Sequence, residues 1–435
     1  MVLRVLRVFV LTSVPPVAPA IILSPMSHDI ASSQLARIVV ESLQRAGFIA
    51  YFAGGCVRDR LMGLPPKDYD VATSATPQQV LAVFPRSKKI GIAFGVVQVA
   101  DRKATVEVAT FRADGDYLDG RRPEGVTFTT PEGDSQRRDF TCNGLFYDPV
   151  KDELLDFVGG KRDIDAKLLR AIGDPRQRFA EDHLRMLRAV RFAAKLNFTI
   201  EPATHAAILE LQDHIQNISR ERIGDEVRNI LEHPARVPGI QLLSAYPRLF
   251  CNLFFVAPER IVRPVEWTRL SRLAEPVPRV LGLMALLLDI WGPTGKDIST
   301  VTDKLRASLM LSNDETAAFA WWADHLAPVH QWPSLSVARF KRMMADPHWA
   351  DLARLYLAGP VDDAARAAFL QKTAVLEAEG VAPQPLISGL DLIRLGGRPG
   401  RQFKGWLHHL YDEQLEGRLK TAEEAEAAAL VLLKK

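Results

Sequence analysis

Phe52-Ala53-Gly54-Gly55-Cys56-Val57-Arg58-Asp59, followed by Lys67-Asp68-Tyr69-Asp70-Val71-Ala72, is the stretch on which the fold turns. Two glycines separate an apolar β-type run from a helical one, so the backbone can turn tightly there and its free amides can face a phosphate. Arg58 then falls in the first turn of the helix. A Gly-Gly pair in this position is often only a turn. In the second segment two carboxylates stand two residues apart on entering a strand, and the strand period of two sends both side chains to one face. Anions so placed repel unless a cation joins them. Hard oxygen donors favour Mg²⁺, which usually keeps waters and a substrate's phosphate oxygens as further ligands. A third carboxylate is available in Ala104-Thr105-Val106-Glu107-Val108-Ala109-Thr110-Phe111-Arg112. There Glu107 leaves the face that its neighbouring valines occupy. The plain alternatives are a solvated strand end for Asp68 and Asp70, and an exposed edge position for Glu107.

Around this stretch, β-branched and aromatic runs at 48–53, 94–100, 104–111 and 126–130, with helical patterns at 35–46, 56–62 and 77–83, predict a small α/β or α+β sheet domain. Beyond about Asp163 the strand pattern stops. Helices are predicted over 179–194, 202–215, 220–231, 279–288 and 313–326, with joints near Pro234, Pro264, Pro276, Pro360 and Pro383. On the helix expected over 179–194, Asp182 and Arg185 adjoin at i and i+3, and Arg188 and Arg191 continue at steps of three. In isolation such a ladder is an ordinary set of surface salt bridges. Beside a nucleotide it offers an acceptor and a forked donor in one plane. Cytosine and adenine present an amine beside an acceptor nitrogen, whereas uracil and guanine reverse that order, so a mismatch leaves polar groups unpaired.

The chain has 435 residues, 47% of them apolar, which suits two to four globular units. Its formal charge of +3, from 55 basic and 52 acidic residues, identifies no nucleic-acid binder without local clustering. Cys56, Cys142 and Cys251 are far apart and form no metal-binding spacing, which points to a reduced, cytoplasmic protein without a zinc site. Residues 1–25 imitate a short secretory signal, with Arg4 and Arg7 before an apolar run and Ala18-Pro19-Ala20 after it. Pro15, Pro16 and Pro19 forbid a spanning helix, and no apolar stretch reaches the ~20 residues that a membrane span needs. Because a polar, soluble-type start follows Met26, residues 1–25 are read as an upstream over-extension of the start site.

Gly54 to Asp59, Asp68-x-Asp70, Arg137-Arg138-Asp139-Phe140-Thr141-x-Asn143, and Glu181-Asp182-x-x-Arg185-x-x-Arg188-x-x-Arg191-Phe192 resemble, in this order, the motifs of class II tRNA nucleotidyltransferases and bacterial poly(A) polymerases. That family lies in the polymerase β superfamily. The resemblance continues through Ile218-Ser219-Arg220-Glu221-Arg222-Ile223 and again near 387–395 and 414–417. It implies an α+β fold: a polymerase β-like nucleotidyltransferase head with a small mixed sheet over 26–165, followed by an all-helical neck (166–235), body (236–379) and tail (380–435). It further implies that Asp68 and Asp70 bind Mg²⁺ with Glu107 assisting. Gly55, Arg58 and Arg138 would contact nucleotide phosphates, and Asp182, Arg185, Arg188 and Arg191 would read the nucleotide. The implied partners are CTP, ATP and a tRNA 3′ end, with no membrane, and the implied reaction is template-independent addition of C and A with release of pyrophosphate.

The choice of branch rests on other residues. Lys89-Ile90-Gly91-Ile92-Ala93-Phe94-Gly95-Val96-Val97 resembles a segment of the tRNA enzymes and lacks the Arg-rich character of the poly(A) branch. The polar stretch 114–134 resembles the family's flexible loop, which enzymes adding only C tend to lack. Full CCA addition is therefore expected, with poly(A) polymerase or an A-adding tRNA enzyme as the alternative. Gly144 and Cys142 depart from the common pattern around Asn143. Leu288-Asp289 stands where a His-Asp metal pair of a phosphohydrolase domain would be, so no such second activity is expected.

Overall fold

The computed structural model describes residues 26–88, 95–101, 104–114, 126–261, 265–292 and 298–433. Residues 89–94 and 115–125, which carry most of the branch assignment, lie outside this set, as does the signal-like segment 1–25. Two compact units follow one another along the chain, the first running to Ile164 and the second beginning at Asp165.

The first unit runs α1 (Met26–Arg45), β1 (Ala50–Ala53), α2 (Gly55–Leu61), β2 (Asp70–Thr73), α3 (Pro77–Val83), β3 (Val96–Ala100), β4 (Thr105–Thr110), β5 (Arg112–Asp114), β6 (Val126–Phe128), α4 (Pro131–Gln136), β7 (Phe146–Asp148), β8 (Glu153–Leu155) and α5 (Gly160–Asp165). Six strands form one mixed sheet in the order β3-β4-β2-β1-β7-β8. Every pairing in it is antiparallel except β2 with β4. Strand β4 shows why it forms: Val106 and Val108 are buried while Glu107 between them is exposed, the alternation of a strand with one core face. Helix α1 packs on β1, β2 and β4 and buries Ala36, Val39, Val40 and Leu43, spaced as one helical stripe. The opposite face carries Ala53, Ala72, Phe111 and Phe146, with Tyr51 and Leu155 against them. By alternation Asp70, two residues before Ala72, belongs to this second face.

The second unit begins with a departure from the expected loss of strands. Strands β9 (Leu168–Leu169) and β10 (Thr199–Ile200) pair in parallel. Two residues each are too few to leave a period-two pattern. The rest is helical: α6 (Pro175–Glu181), α7 (Leu184–Leu196), α8 (Pro202–Leu211), α9 (Arg220–Leu231), α10 (Arg236–Ser244), α11 (Pro247–Phe254), α12 (Thr268–Arg272), α13 (Arg279–Trp291), α14 (Thr302–Leu309), α15 (Asn313–His330), α16 (Val337–Met344), α17 (Trp349–Ala358), α18 (Asp363–Glu379), α19 (Gly389–Arg394), α20 (Arg401–Leu415) and α21 (Ala422–Leu433). Helix α13 is buried from Arg279 to Leu288, as its nearly continuous apolar sequence requires. Helices α19, α20 and α21 share a core of Ile387, Leu392, Leu410, Ala425 and Ala429.

The single helix expected over 179–194 is corrected to two. Asp182 is extended (φ −150°, ψ 101°) between α6 and α7, and its carboxylate accepts from the Leu184 N–H at 3.1 Å. Asp competes for the orphan N–H groups of a helix start better than it sits in a helix interior, so the chain breaks where it stands. Among the described residues no helix is long and apolar enough to cross a membrane. Cys56, Cys142 and Cys251 are unpaired thiols.

Candidate active site

Strand register builds the acidic part of the site. Asp70 opens β2 and lies opposite both Ala53 of β1 and Glu107 of β4. In a parallel pair, residues in register point to the same face, so the Asp70 and Glu107 carboxylates are neighbours. Asp68 precedes them in a bend and is exposed, as is Glu107. The Asp70 carboxyl is pushed up to about 6, first by burial and then by Glu107, with Arg138 pulling it down and Asp68 pushing it up again. Asp70 nevertheless keeps an exposed surface. Crowded anions without a counter-charge hold protons more tightly, and a divalent cation relieves the same crowding. Among the described residues no three such donors close into a metal-holding cluster. Mg²⁺ commonly takes only one or two carboxylates, completing its shell with water and phosphate oxygens, so the Asp68/Asp70 donor set suits it.

A basic wall stands beside the carboxylates. Arg138 donates to the Asp134 carboxylate at 3.0 and 3.2 Å and to the Asn143 carbonyl at 3.2 Å, and lies 4.9 Å over the Phe146 ring. Asp134, 1% exposed, also accepts from Arg137 at 2.8 Å and from the Arg112 N–H at 3.2 Å. Burial alone would raise its pKa, but Arg138 and Arg137 outweigh burial and hold it below the ordinary carboxylate range. Arg58 is placed differently. Its guanidinium, 3% exposed as a residue, donates to Asn143 Oδ1 at 2.6 Å and to Asp59 Oδ1 at 2.6 and 2.8 Å. It ties α2 to the short turn Thr141–Asn143.

The two glycines differ as well. Gly54 has φ 72° and ψ −126°, and a Cβ there would sit 2.9 Å from Arg138 Nη1. At Gly55 a Cβ would meet only Arg58 Nη2, at 3.6 Å. Sequence reading named Gly55, yet the close approach is at Gly54. It also passed over Asp134, although its position four residues before Arg138 was visible, and gave Asn143 no role.

In the second unit, Asp182 accepts from Arg222 of α9 at 2.6 Å as well as from the Leu184 N–H. Arg185 donates to Glu181 at 2.6 Å and to the Arg178 carbonyl at 2.8 Å. Arg191 and Arg188 lie 2.6 and 3.5 Å from the two oxygens of buried Glu226 on α9, and both stack on Phe192. His183 stacks on His214 with ring centroids 5.0 Å apart. The break in the chain thus turns Asp182 towards α9 while α7 carries Arg185, Arg188 and Arg191. Arg222, within Ile218–Ile223, is a partner that the sequence did not reveal.

A sheet whose carboxylates stand in register on one open face, beside a fixed arginine and ahead of a helical unit, defines the nucleotidyltransferase class. A family model described as "Poly A polymerase head domain" matches residues 50–170, and one described as "Probable RNA and SrmB- binding site of polymerase A" matches residues 197–261. The CCA-adding enzyme of Anoxybacillus flavithermus is 42% identical over 244 residues, which are 56% of this chain and 60% of that protein. The CCA-adding enzyme of Lacticaseibacillus paracasei is 32% identical over 396 residues, 88% of this chain and 92% of that protein. The Bacillus stearothermophilus CCA-adding enzyme, solved in complex with CTP, superposes with a TM-score of 0.74 at 26% identity, over 92% of this chain and 97% of that one. The chain belongs to the CCA-adding enzyme family, whose members are divalent-metal-dependent nucleotidyltransferases.

Proposed function

We propose that this protein adds C and A nucleotides to the 3′ end of tRNA, without a nucleic-acid template, using CTP and ATP and releasing pyrophosphate. The register pairing of Asp70 with Glu107, behind Asp68, carries the reading. A divalent ion held by Asp68 and Asp70, which we take to be Mg²⁺ from the all-oxygen donors, would stabilise phosphate charge and acidify the RNA 3′-hydroxyl. Glu107 adds negative charge beside the pair. Arg138, already fixed by Asp134 and the Asn143 carbonyl, supplies positive charge for a triphosphate without having to be ordered first. The Gly54 turn leaves room for that guanidinium. Gly55 and Arg58 complete the phosphate side, Arg58 by bracing the turn at Asn143.

Base choice is assigned to Asp182 and Arg185, an acceptor and a forked donor matched to the amine and ring nitrogen of cytosine and adenine. Arg188 and Arg191 complete the nucleotide-reading set and, through Glu226, tie α7, which carries Arg185, to α9. The head, neck, body and tail boundaries at 165, 235 and 379 belong to this reading. So does a cytoplasmic location, supported by three unpaired thiols.

The test is nucleotide incorporation into three RNAs: tRNA ending at the base before CCA, tRNA ending in CC, and an unstructured RNA. CTP then ATP incorporation into the first and ATP into the second is expected. Long A tails on the unstructured RNA, with no C added to tRNA, would overturn the reading. Asp68→Ala is expected to abolish transfer with tRNA binding nearly intact.

A further inference from the structure

We propose that a groove in the second unit, bordered by Arg272, Arg354 and Arg366, binds backbone phosphates of the RNA acceptor. The proposal takes its ligand from the nucleotidyltransferase reading and assigns a surface outside every motif that carries the chemistry. The groove, about 520 Å³, lies between the end of α12, the last turn of α17 and the first turn of α18.

What sets Arg272 and Arg366 apart is their partners. Arg185, Arg191, Arg222 and Arg279 each bond a carboxylate that offsets their charge. Arg272 instead donates to the Gly359 carbonyl at 3.2 Å, and Arg366 donates to the carbonyls of Leu357 and Val361. Among the described residues these carbonyls are the only partners of Arg272 and Arg366. A carbonyl fixes a guanidinium in place without cancelling its charge, and most of the five donors of each guanidinium stay available. Arg354 donates to the carbonyls of Ala274 and Pro276 at 2.6 and 2.8 Å and pairs with Asp351 at 2.8 Å. Asp363 is the carboxylate among the lining residues. Asp351 offsets Arg354, and Asp362 and Asp363 stand at the start of α18, Asp362 capping the Ala365 N–H, which leaves Arg272 and Arg366 as the guanidiniums held by carbonyls alone.

Its shape favours a chain over a small anion. The groove is half-open and lined by Leu273, Leu357 and Val361 as well as by the arginines, so it lacks the full enclosure that desolvates an isolated phosphate. A polynucleotide can lay sugars against the apolar lining while successive phosphates meet arginines that are already ordered.

The experiment compares the full-length protein with the double variants Arg272→Gln/Arg366→Gln and Arg272→Lys/Arg366→Lys, measuring tRNA affinity across a salt series and Tm by tryptophan emission. Each lost phosphate contact makes the slope of log K against log salt shallower by about 0.7 to 0.9. The Gln pair is therefore expected to lose roughly 1.5 in slope and bind tRNA roughly tenfold more weakly at low salt. The Lys pair, which keeps the charge, is expected to restore the slope. An unchanged slope in the Gln pair overturns the proposal. So does a slope lost equally in both pairs alongside Tm, which reports structural damage. Inorganic phosphate that raises Tm in wild type but not in the Gln pair, while the tRNA slope stays the same in both, makes this a small-anion site and also overturns it. Failure of wild type to incorporate C or A, with tRNA binding and its salt slopes as expected, rejects the catalytic reading and leaves the groove standing.

Discussion

Gly54→Ala and Gly55→Ala are adjacent, chemically identical changes for which the structure requires opposite outcomes. At Gly54 the backbone has φ 72° and ψ −126°, a conformation that costs a residue with a Cβ about 1 to 3 kcal/mol. The new methyl would also lie 2.9 Å from Arg138 Nη1. Arg138 can withdraw only by loosening its bonds to Asp134 or to the Asn143 carbonyl, at a further cost of about 1 kcal/mol. The sum, about 2 to 4 kcal/mol, falls on the first unit. At Gly55 the methyl meets Arg58 Nη2 at an ordinary 3.6 Å. The residue there starts α2 outside the positive-φ region, so alanine is neutral or gains up to about 1 kcal/mol.

All seven tryptophans lie beyond residue 164, so their emission reports the second unit. The first is followed by hydrogen exchange of the β1 and β2 amides. Exchange that requires opening of this unit should accelerate roughly 30- to nearly 1000-fold in Gly54→Ala. Tryptophan-monitored unfolding should not move, and transfer should fall with the displacement of Arg138. Gly55→Ala should exchange at or below the wild-type rate. Equal behaviour of the two variants would refute the assignment of the close approach to Gly54.

Glu226→Ala removes the buried carboxylate between Arg188 and Arg191 and should cost roughly 3 kcal/mol, seen as a lower tryptophan-monitored unfolding midpoint; an unmoved midpoint would mean the bridges between α7 and α9 contribute nothing. Acid sensitivity of the second unit should come from two opposing groups. His330 is held down from 6.5 to about 4 by burial and then by Arg269, so the unfolded chain takes up a proton that the folded one refuses, and stability is lost as pH falls from about 6.5 towards 4. Asp289 is raised from 3.8 to about 6 by burial, against bonds from the Arg269 and Leu270 N–H groups and the charge of Arg269, so its contribution grows as pH falls from about 6. His330→Leu should therefore flatten the decline in unfolding midpoint between pH 6.5 and 4, and Asp289→Asn should steepen it; the reverse order would contradict both assignments.

Much of the first unit could be read in advance because its key residues obey the strand period. Val106, Glu107 and Val108 alternate as the sequence required, and Asp70 follows the strand period onto the face of Ala72, whereas Asp68 lies ahead of β2 in a bend and not on the strand that its spacing implied. Strands β7 and β8, three residues each, were too short to show that period. Partner identity was harder to foresee. Arg58 had the residue type and position of a phosphate ligand, but Asn143, which captures it, is brought there by the sheet. Asp182 and Arg185 had helical spacing, and only the local competition of the Asp182 side chain for the Leu184 N–H breaks that helix. The Arg272 and Arg366 groove had no linear pattern, because carbonyl groups of remote turns create it.

The lone parallel pairing in the sheet also sets a timetable for synthesis. Asp68 and Asp70 leave the ribosome well before Glu107, and β2 cannot meet β4 until the chain has passed through α3 and β3. Non-local parallel pairings form late because the intervening loop must close first. Fragments ending before Thr105 can contain the Gly54 turn and both aspartates, but they lack β4, on which Glu107 stands in register. Acquisition of the complete carboxylate set therefore marks closure of the sheet: a nascent chain carries the Asp68/Asp70 pair early and gains Glu107 beside it in one late step.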